Sequence, residues 1–183
     1  HKVYPDRILA VTFTNKAAGE MRERLHTLLG AEAERVWIST FHSAGLRILR
    51  RNADRVGYSS DFTIYDDQDS TALMKRLLKQ LSIADKQHPP GKFLSFIDAA
   101  KNQLQRPQDL PLNGRGYDYR LKVEVYDKYQ LELRKAKAMD FGDLLINAVY
   151  LLRENQDILH DYQRQLQFVL VDEFQDTNPA QYE

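Results

Sequence analysis

Two short apolar runs, each followed directly by a helical pattern, constrain the fold of this chain more than any other feature of its sequence. The first run, Arg7–Phe13 (RILAVTF), is partly β-branched, as buried strands often are. The second, Val36–Thr40 (VWIST), leads into a stretch with leucines at helical spacing. A strand–helix–strand–helix order is typical of a parallel, doubly wound sheet. We therefore predict an α/β fold.

The alternation stops between residues 58 and 137. Helical patterns fill this stretch, among them an apolar stripe over Phe93–Leu104 and a long pattern over residues 119–137, and almost no strand pattern is present. We predict an all-helical insertion of about eighty residues, a size within the usual range of domains. It would separate two parts of the α/β domain, residues 1–57 and 138–183.

A third apolar run, Phe168–Val171, is predicted to be a buried strand that ends at Asp172 and Glu173. Ligands of open α/β sheets bind beyond the carboxyl ends of the strands, and all three predicted strands carry polar residues there. One of the two carboxylates can hold a magnesium ion while the other orients and deprotonates an attacking water. A solvated acidic turn is the better explanation of the pair taken alone.

Aromatic and polar residues follow the first two strands. Phe13 can stack on a nucleic-acid base, while Thr14 and Asn15 can bond phosphates at the start of the next helix. His42 follows Phe41 in the same kind of position and can contact phosphate or base. Without context, a core phenylalanine and a structural histidine are the commoner explanations.

Composition excludes several classes of protein. The chain has no cysteine, which excludes disulfides and thiolate metal sites and fits a reducing cytoplasm, and its five histidines show no zinc-ligand spacing. No run approaches the roughly 18 apolar residues of a membrane span, and no secretory signal is visible. We expect no membrane partner.

The net charge of zero hides an asymmetry, because residues 1–137 carry an excess of seven basic residues and residues 138–183 an excess of seven acidic ones. A basic body can follow a polyanion, and an acidic end can hold a cation. Charge alone does not separate this from ordinary surface variation.

A phosphate-binding loop of the form G-x-x-x-x-G-K-[ST] is absent. Among the eight glycines only Gly91 precedes a lysine, and Phe93 follows where serine or threonine is required. The acidic pair therefore lacks the phosphate-binding loop that a P-loop enzyme needs.

The blocks ILAVTFTNKAAGEMRERL, ISTFHSAGLRILRR, MDFGDLL and FVLVDEFQDTN resemble, in this order, the UvrD/PcrA/Rep family of superfamily 1 DNA helicases. The likeness covers essentially the whole chain, although Gly142 stands where many members carry an acidic residue. The resemblance implies a partial RecA-like P-loop NTPase sheet with an all-helical accessory insertion. It also implies a 3′→5′ translocase that hydrolyses ATP while it steps along single-stranded DNA.

The resemblance assigns two groups of residues to the DNA strand. The first block resembles the family's motif Ia, and STFHS resembles its motif Ib. The residues that the resemblance implies for DNA binding are Phe13, Thr14, Asn15, Thr40, Phe41 and His42.

The resemblance also assigns the acidic segment. DEFQDT resembles the family's Walker B segment. The resemblance implies that residues 138–183 belong to the motor domain again and end in this segment. It implies that Asp172 binds Mg²⁺, that Glu173 is the catalytic base, and that Gln175 contributes to binding ATP.

Further parts are implied beyond residues 1–183, namely a Walker A loop upstream and a second motor domain with an arginine finger downstream. We therefore expect the remaining helicase domains, single-stranded DNA and single-strand/double-strand junctions as partners, and an isolated chain that is inactive. A sheet without its flanking strands exposes edges that can pair with another chain.

Two other functions are compatible with the same residues. The chain can be a non-catalytic single-stranded DNA-binding module or part of a larger helicase–nuclease. A two-metal nuclease is disfavoured, because such sites need several converging carboxylates and only one acidic cluster follows a predicted strand.

Overall fold

The computed structural model describes residues 3–83, 88–113 and 115–183, so residues 84–87 and 114 of the predicted insertion lie outside the described residues. The described residues contain five β-strands: β1 (Ile8–Thr12), β2 (Trp37–Thr40), β3 (Thr63–Tyr65), β4 (Ala138–Asp140) and β5 (Phe168–Val171). They also contain the helices α1 (Asn15–Leu29), α2 (Phe41–Arg51), α3 (Asp67–Gln80), α4 (Pro90–Asn102), α5 (Tyr117–Lys135), α6 (Phe141–Glu154), α7 (Gln156–Gln165) and the short α8 (Pro179–Tyr182). None of the described helices is long and apolar enough to cross a membrane.

The three strands predicted from the apolar runs form one parallel sheet in the order β2-β1-β5. Ala10 of β1 is aligned with Ile38 on one side and with Leu170 on the other. The crossover from β1 to β2 runs through α1, which packs on the sheet through Ala18. The predicted α/β class with a partial RecA-like sheet is confirmed.

The prediction that β5 is buried was wrong. Phe168, Val169 and Leu170 are 49%, 58% and 56% exposed, because β5 is an edge strand of the sheet and is covered mainly by β1 alone. A continuous apolar run indicates a strand with both faces covered. In this chain the run forms the strand, but side chains on both of its faces stay exposed among the described residues.

A second sheet consists of β3 and β4, which pair in parallel from Thr63–Ala138 to Tyr65–Asp140. The expectation of almost no strand in the middle of the chain missed β3. Three residues are too few to show a period of two, so this pairing is set by tertiary contacts rather than by a local pattern.

The described core divides into three clusters. Helices α3, α4 and α5 enclose the largest one, whose fully buried side chains include Met74, Leu78, Ile97, Tyr126, Tyr129 and Leu133. A second cluster joins α2, α6 and α7, and a third lies between α1 and the three-stranded sheet. The apolar stripe predicted over Phe93–Leu104 supplies the first cluster, although α4 ends earlier, at Asn102, because Leu104 has a φ of 56°.

The crossing of α2 and α6 depends on one glycine. A Cβ at Gly45 would lie 2.5 Å from the backbone oxygen of Leu144 and 3.6 Å from the Cβ of Ala148. Only glycine therefore permits this close approach of the two helices. The contact matters for the site, because both helices begin at residues that face it.

Candidate functional site

The predicted site residues follow the carboxyl ends of three adjacent strands. Because β1, β2 and β5 are parallel, these ends lie at the same edge of the sheet. Phe13 follows β1, Phe41 follows β2 and Asp172 follows β5. The backbone N–H of Asp172 donates to the oxygen of Val11 at 3.0 Å, so the acidic segment begins beside the central strand.

Two pairs of aromatic rings lie beside the first turn of α2. The rings of Phe13 and Phe41 lie 5.3 Å apart between centroids, and those of His42 and Phe141 lie 5.9 Å apart, edge to face. Phe41 and His42 are consecutive at the start of α2, so each pair includes one residue of that turn. We call Phe13, Phe41, His42 and Phe141 the aromatic row. All four are at least partly exposed and available for stacking.

The polar residues beside the row have different roles. Thr14 and Asn15 are exposed, and the Thr14 hydroxyl accepts from the backbone N–H of Ala17 at 3.1 Å, which caps α1. Thr40 is buried, and its hydroxyl accepts from the N–H of Ser43 at 3.2 Å and donates to the Ser43 hydroxyl at 2.9 Å. The Thr40 side chain therefore fixes the start of α2, while Thr14 and Asn15 face solvent.

His42 is neutral near pH 7. Burial lowers the pKa of His42 from its usual value, and the carboxylate of Asp98 on α4 opposes this shift without reversing it. A neutral imidazole offers a flat ring and one N–H donor rather than a charge. Such a ring suits stacking better than an ion pair with phosphate.

The structure adds Phe141 as a candidate, a residue to which the sequence motifs gave no role. It is 46% exposed and is the first residue of α6, directly after β4. One sequence signal was present, because Phe13, Phe41 and Phe141 each follow a polar residue at the end of a strand. That signal was hidden as long as β4 was not recognised.

The acidic segment is exposed and turns sharply. Glu173 adopts left-handed backbone angles, φ 50° and ψ 43°, which are uncommon for a residue with a side chain. Its carboxylate accepts from the Gln175 side-chain amide at 2.5 Å, and its backbone oxygen accepts from the N–H of Asp176 at 2.9 Å. The structure thus brings Asp172, Glu173 and Gln175 together at one exposed turn.

The acidic segment fits a magnesium ion only in company with a ligand that supplies further oxygens. Within the described ranges no group of three or more histidine, aspartate or glutamate side chains could hold a metal ion. Mg²⁺ is commonly held by one or two carboxylates together with waters and substrate phosphates. Asp172 suits that arrangement and does not form a protein-only metal site.

Two comparisons with known proteins bear on this site. The family model for the UvrD/REP helicase N-terminal domain matches residues 1–183. The ATP-dependent DNA helicases PcrA of Staphylococcus aureus (strain Mu50 / ATCC 700699) and Bacillus subtilis (strain 168) are each 43% identical to the chain over 180 residues, or 98% of it. Those residues make up 25% and 24% of the two relatives, so the chain spans about a quarter of their length.

Proposed function

The chain belongs to the UvrD/REP helicase family, and on that premise we propose that it is a fragment of an ATP-dependent 3′→5′ DNA helicase. In the parent protein, ATP hydrolysis would drive movement along single-stranded DNA. One observation carries the proposal: Phe13, Phe41 and the acidic segment follow the carboxyl ends of adjacent strands in one small sheet. Two sites on one rigid element can influence each other through small shifts of the strands.

The aromatic row supplies the DNA half of this function. Stacking of a base on an aromatic side chain is tolerant of sequence, as a translocating protein requires, and is worth about 1–3 kcal/mol per base. The exposed start of α1 at Thr14 and Asn15 offers N–H groups and a side-chain amide to phosphates. Thr40 contributes by capping α2, which carries Phe41 and His42. We also propose single-strand/double-strand junctions, where unwinding begins, as a substrate.

The acidic segment supplies part of the ATP half. Asp172 would bind the Mg²⁺ that accompanies ATP, and Glu173 would orient and deprotonate the attacking water. Gln175 donates to the Glu173 carboxylate, so it holds that base in place beside the nucleotide. When bound, Mg²⁺ neutralises charge that develops on the transferred phosphoryl group.

The isolated chain would not turn over ATP. Its 183 residues contain no G-x-x-x-x-G-K-[ST] loop to hold the phosphates. An arginine finger from a further domain is worth about 10³–10⁵ in rate in related enzymes. The remaining helicase domains are therefore the first partners that we propose, and bacterial nucleoid DNA in the cytoplasm is the expected setting.

The largest core cluster supports the proposed domain organisation, because all but one of its buried residues lie between residues 58 and 137. Residues 1–57 and 138–183 would form one RecA-like unit, with residues 58–137 as a helical accessory insertion. The exposed β5 edge supports pairing with a further strand, either of the parent protein or of a second copy.

The DNA half can be tested on the chain itself. Fluorescence anisotropy with a labelled oligothymidylate should show Phe13→Ala raising the Kd by about 5- to 150-fold, the equivalent of 1–3 kcal/mol. Tyr117→Ala is the matched control, because Tyr117 is 77% exposed at the start of α5 and lies outside the row. Equal Kd values for the two variants would contradict the stacking role. Measurements at two salt concentrations separate the phosphate contribution from stacking.

A non-catalytic single-stranded DNA-binding module is the second candidate. The missing phosphate loop favours it for the chain taken alone. A larger helicase–nuclease would differ from the proposed helicase only in the domains that flank these residues. A GK[ST] loop in the flanking upstream sequence would favour the motor over the binding module.

A further inference from the structure

A buried lysine outside the aromatic row contacts two acidic residues at the start of α6, the cap Asp140 and Asp143 in the first turn. Lys101 lies on α4 with its side chain 1% exposed. Its ammonium nitrogen lies 2.7 Å from both carboxylate oxygens of Asp140 and 2.8 Å from Oδ1 of Asp143. Burial alone would lower the pKa of Lys101, but the two carboxylates raise it instead, so the lysine is charged. Three ionisable groups thus meet in the interior of the protein.

The two carboxylates form the cap of α6. The N–H of Asp143 donates to Asp140 Oδ1 at 2.9 Å, and the N–H of Asp140 donates to Asp143 Oδ2 at 3.2 Å. From α5, the Tyr129 hydroxyl donates to Asp140 at 3.1 Å and the Gln130 amide donates to Asp143 at 2.9 Å. Helices α4 and α5 therefore determine where the first turn of α6 lies.

Lys101 contacts the residues on both sides of Phe141. Its ammonium group bonds Asp140, the residue before Phe141, and its aliphatic stem lies against Gly142, the residue after it. A Cβ at Gly142 would lie 2.7 Å from Cδ of Lys101, so the stem occupies the space of a missing side chain. One residue thus contacts the side chain before Phe141 and lies against the glycine after it.

The ring of Phe141 borders open space. It is 46% exposed and lines a cavity of about 330 Å³ that Ser95, Asp98 and Lys101 also line. Its aromatic contact within the described residues is the edge-on one with His42. Since neighbouring side chains leave room beside the ring, its place in the aromatic row depends on the backbone that carries it.

We propose that Lys101 is a positioning residue for single-stranded DNA: it fixes the first turn of α6 so that Phe141 completes the aromatic row. The inference rests on the proposed DNA-binding function of that row. Buried ion pairs contribute little net stability compared with apolar packing, but they demand a defined geometry, which suits this role. The insertion would thereby act on DNA binding from within the protein, through a residue that touches no DNA.

A double-mutant cycle on the full 183-residue chain tests the inference, with anisotropy on oligothymidylate as the readout. Phe141→Ala should raise the Kd at least about fivefold. Lys101→Met, which keeps the length of the side chain and removes its charge, should raise it by a similar factor. In the Phe141→Ala background, Lys101→Met should add less than about a twofold change, because its target is gone. Lys92→Met is the matched control on the same helix, since Lys92 pairs with Asp118 at the surface and should leave the Kd unchanged.

A second variant covers the case in which Lys101→Met does not fold. Gly142→Ala keeps all the charges and presses only on the stem of Lys101, so it should weaken binding in wild type and not in the Phe141→Ala background. Circular dichroism checks that each variant is folded at the temperature of the assay. Equal losses with and without Phe141 would indicate general destabilisation and overturn the inference.

The remaining outcomes separate the inference from the function on which it rests. If Phe13→Ala and Phe141→Ala weaken binding while folded Lys101→Met and Gly142→Ala bind like wild type, the DNA site stands and the positioning role is refuted. If the wild-type chain binds no oligothymidylate, both are refuted.

Discussion

A methyl group added at Gly45 would lie 2.5 Å from the backbone oxygen of Leu144, a separation that packed atoms do not adopt. Gly45 is on α2 and Leu144 is on α6, so the methyl group would push the two helices apart. The first turns of the same helices carry His42 and Phe141, whose rings are 5.9 Å apart. We therefore predict that Gly45→Ala lowers both the stability of the fold and its affinity for single-stranded DNA.

Two terms of opposite sign determine the change in stability. Replacing a helical glycine with alanine is worth about 0.8–1 kcal/mol in favour of the helix. Overpacking costs about 1–3 kcal/mol, and the upper part of that range applies because a backbone atom cannot rotate away. The expected net loss is about 1–2 kcal/mol in the free energy of unfolding. With an m-value of about 2 kcal/mol/M, the urea midpoint should fall by roughly 0.5–1 M.

Gly19→Ala is the matched control, because Gly19 is also helical, on α1, and a Cβ there would meet nothing within 4 Å. Gly19→Ala should raise the free energy of unfolding by up to about 1 kcal/mol, and the urea midpoint should rise with it. Urea denaturation followed by circular dichroism measures both variants, and anisotropy measures their DNA affinity. A higher midpoint for Gly45→Ala would refute the packing argument. A lower midpoint with unchanged affinity would refute the link between the helix crossing and the aromatic row.

Two further predictions concern titration and catalysis. Burial lowers the pKa of His42 against the opposing effect of Asp98, so the stability linked to its neutral form is fully present above about pH 6.5 and is lost as the pH falls below that value. An NMR titration should place the His42 midpoint below about 6.5, and Asp98→Asn should lower it further; a midpoint at or above 6.5 would contradict the burial. In a coupled assay the chain should show no DNA-stimulated ATP hydrolysis. Robust turnover that disappears in Glu173→Gln would show that the missing phosphate loop is not required.

The sequence was sufficient for the elements whose pattern is local. β1 and β2 were recognised because four or five residues of apolar strand run directly into capped helices. The stripe that begins at Phe93 identified α4 because its period matches the helical turn. β3 and β4 were missed, since a three-residue strand is defined by its partner and the paired residues lie 75 positions apart in the sequence.

The candidate site was predictable only in part, for the same reason. Six DNA-facing candidates and the acidic segment came from short blocks, and their roles remain predictions. Phe141 joins His42 across 99 positions of sequence, and no local pattern encodes that contact. Lys101 is one of fourteen basic residues between positions 58 and 137, and nothing in its immediate neighbours indicates that it is buried.

The packing of Lys101 against Gly142 has a consequence for how relatives of this chain can diverge. A side chain acquired at position 142 collides with the lysine stem, whereas a shorter residue at position 101 leaves two buried carboxylates without their cation. Each single step is costly, so the two positions should change together, in a background where Asp140 or Asp143 has already lost its charge. In an alignment of relatives, positions 101 and 142 would then covary. The order in which the two residues can be replaced would also be constrained.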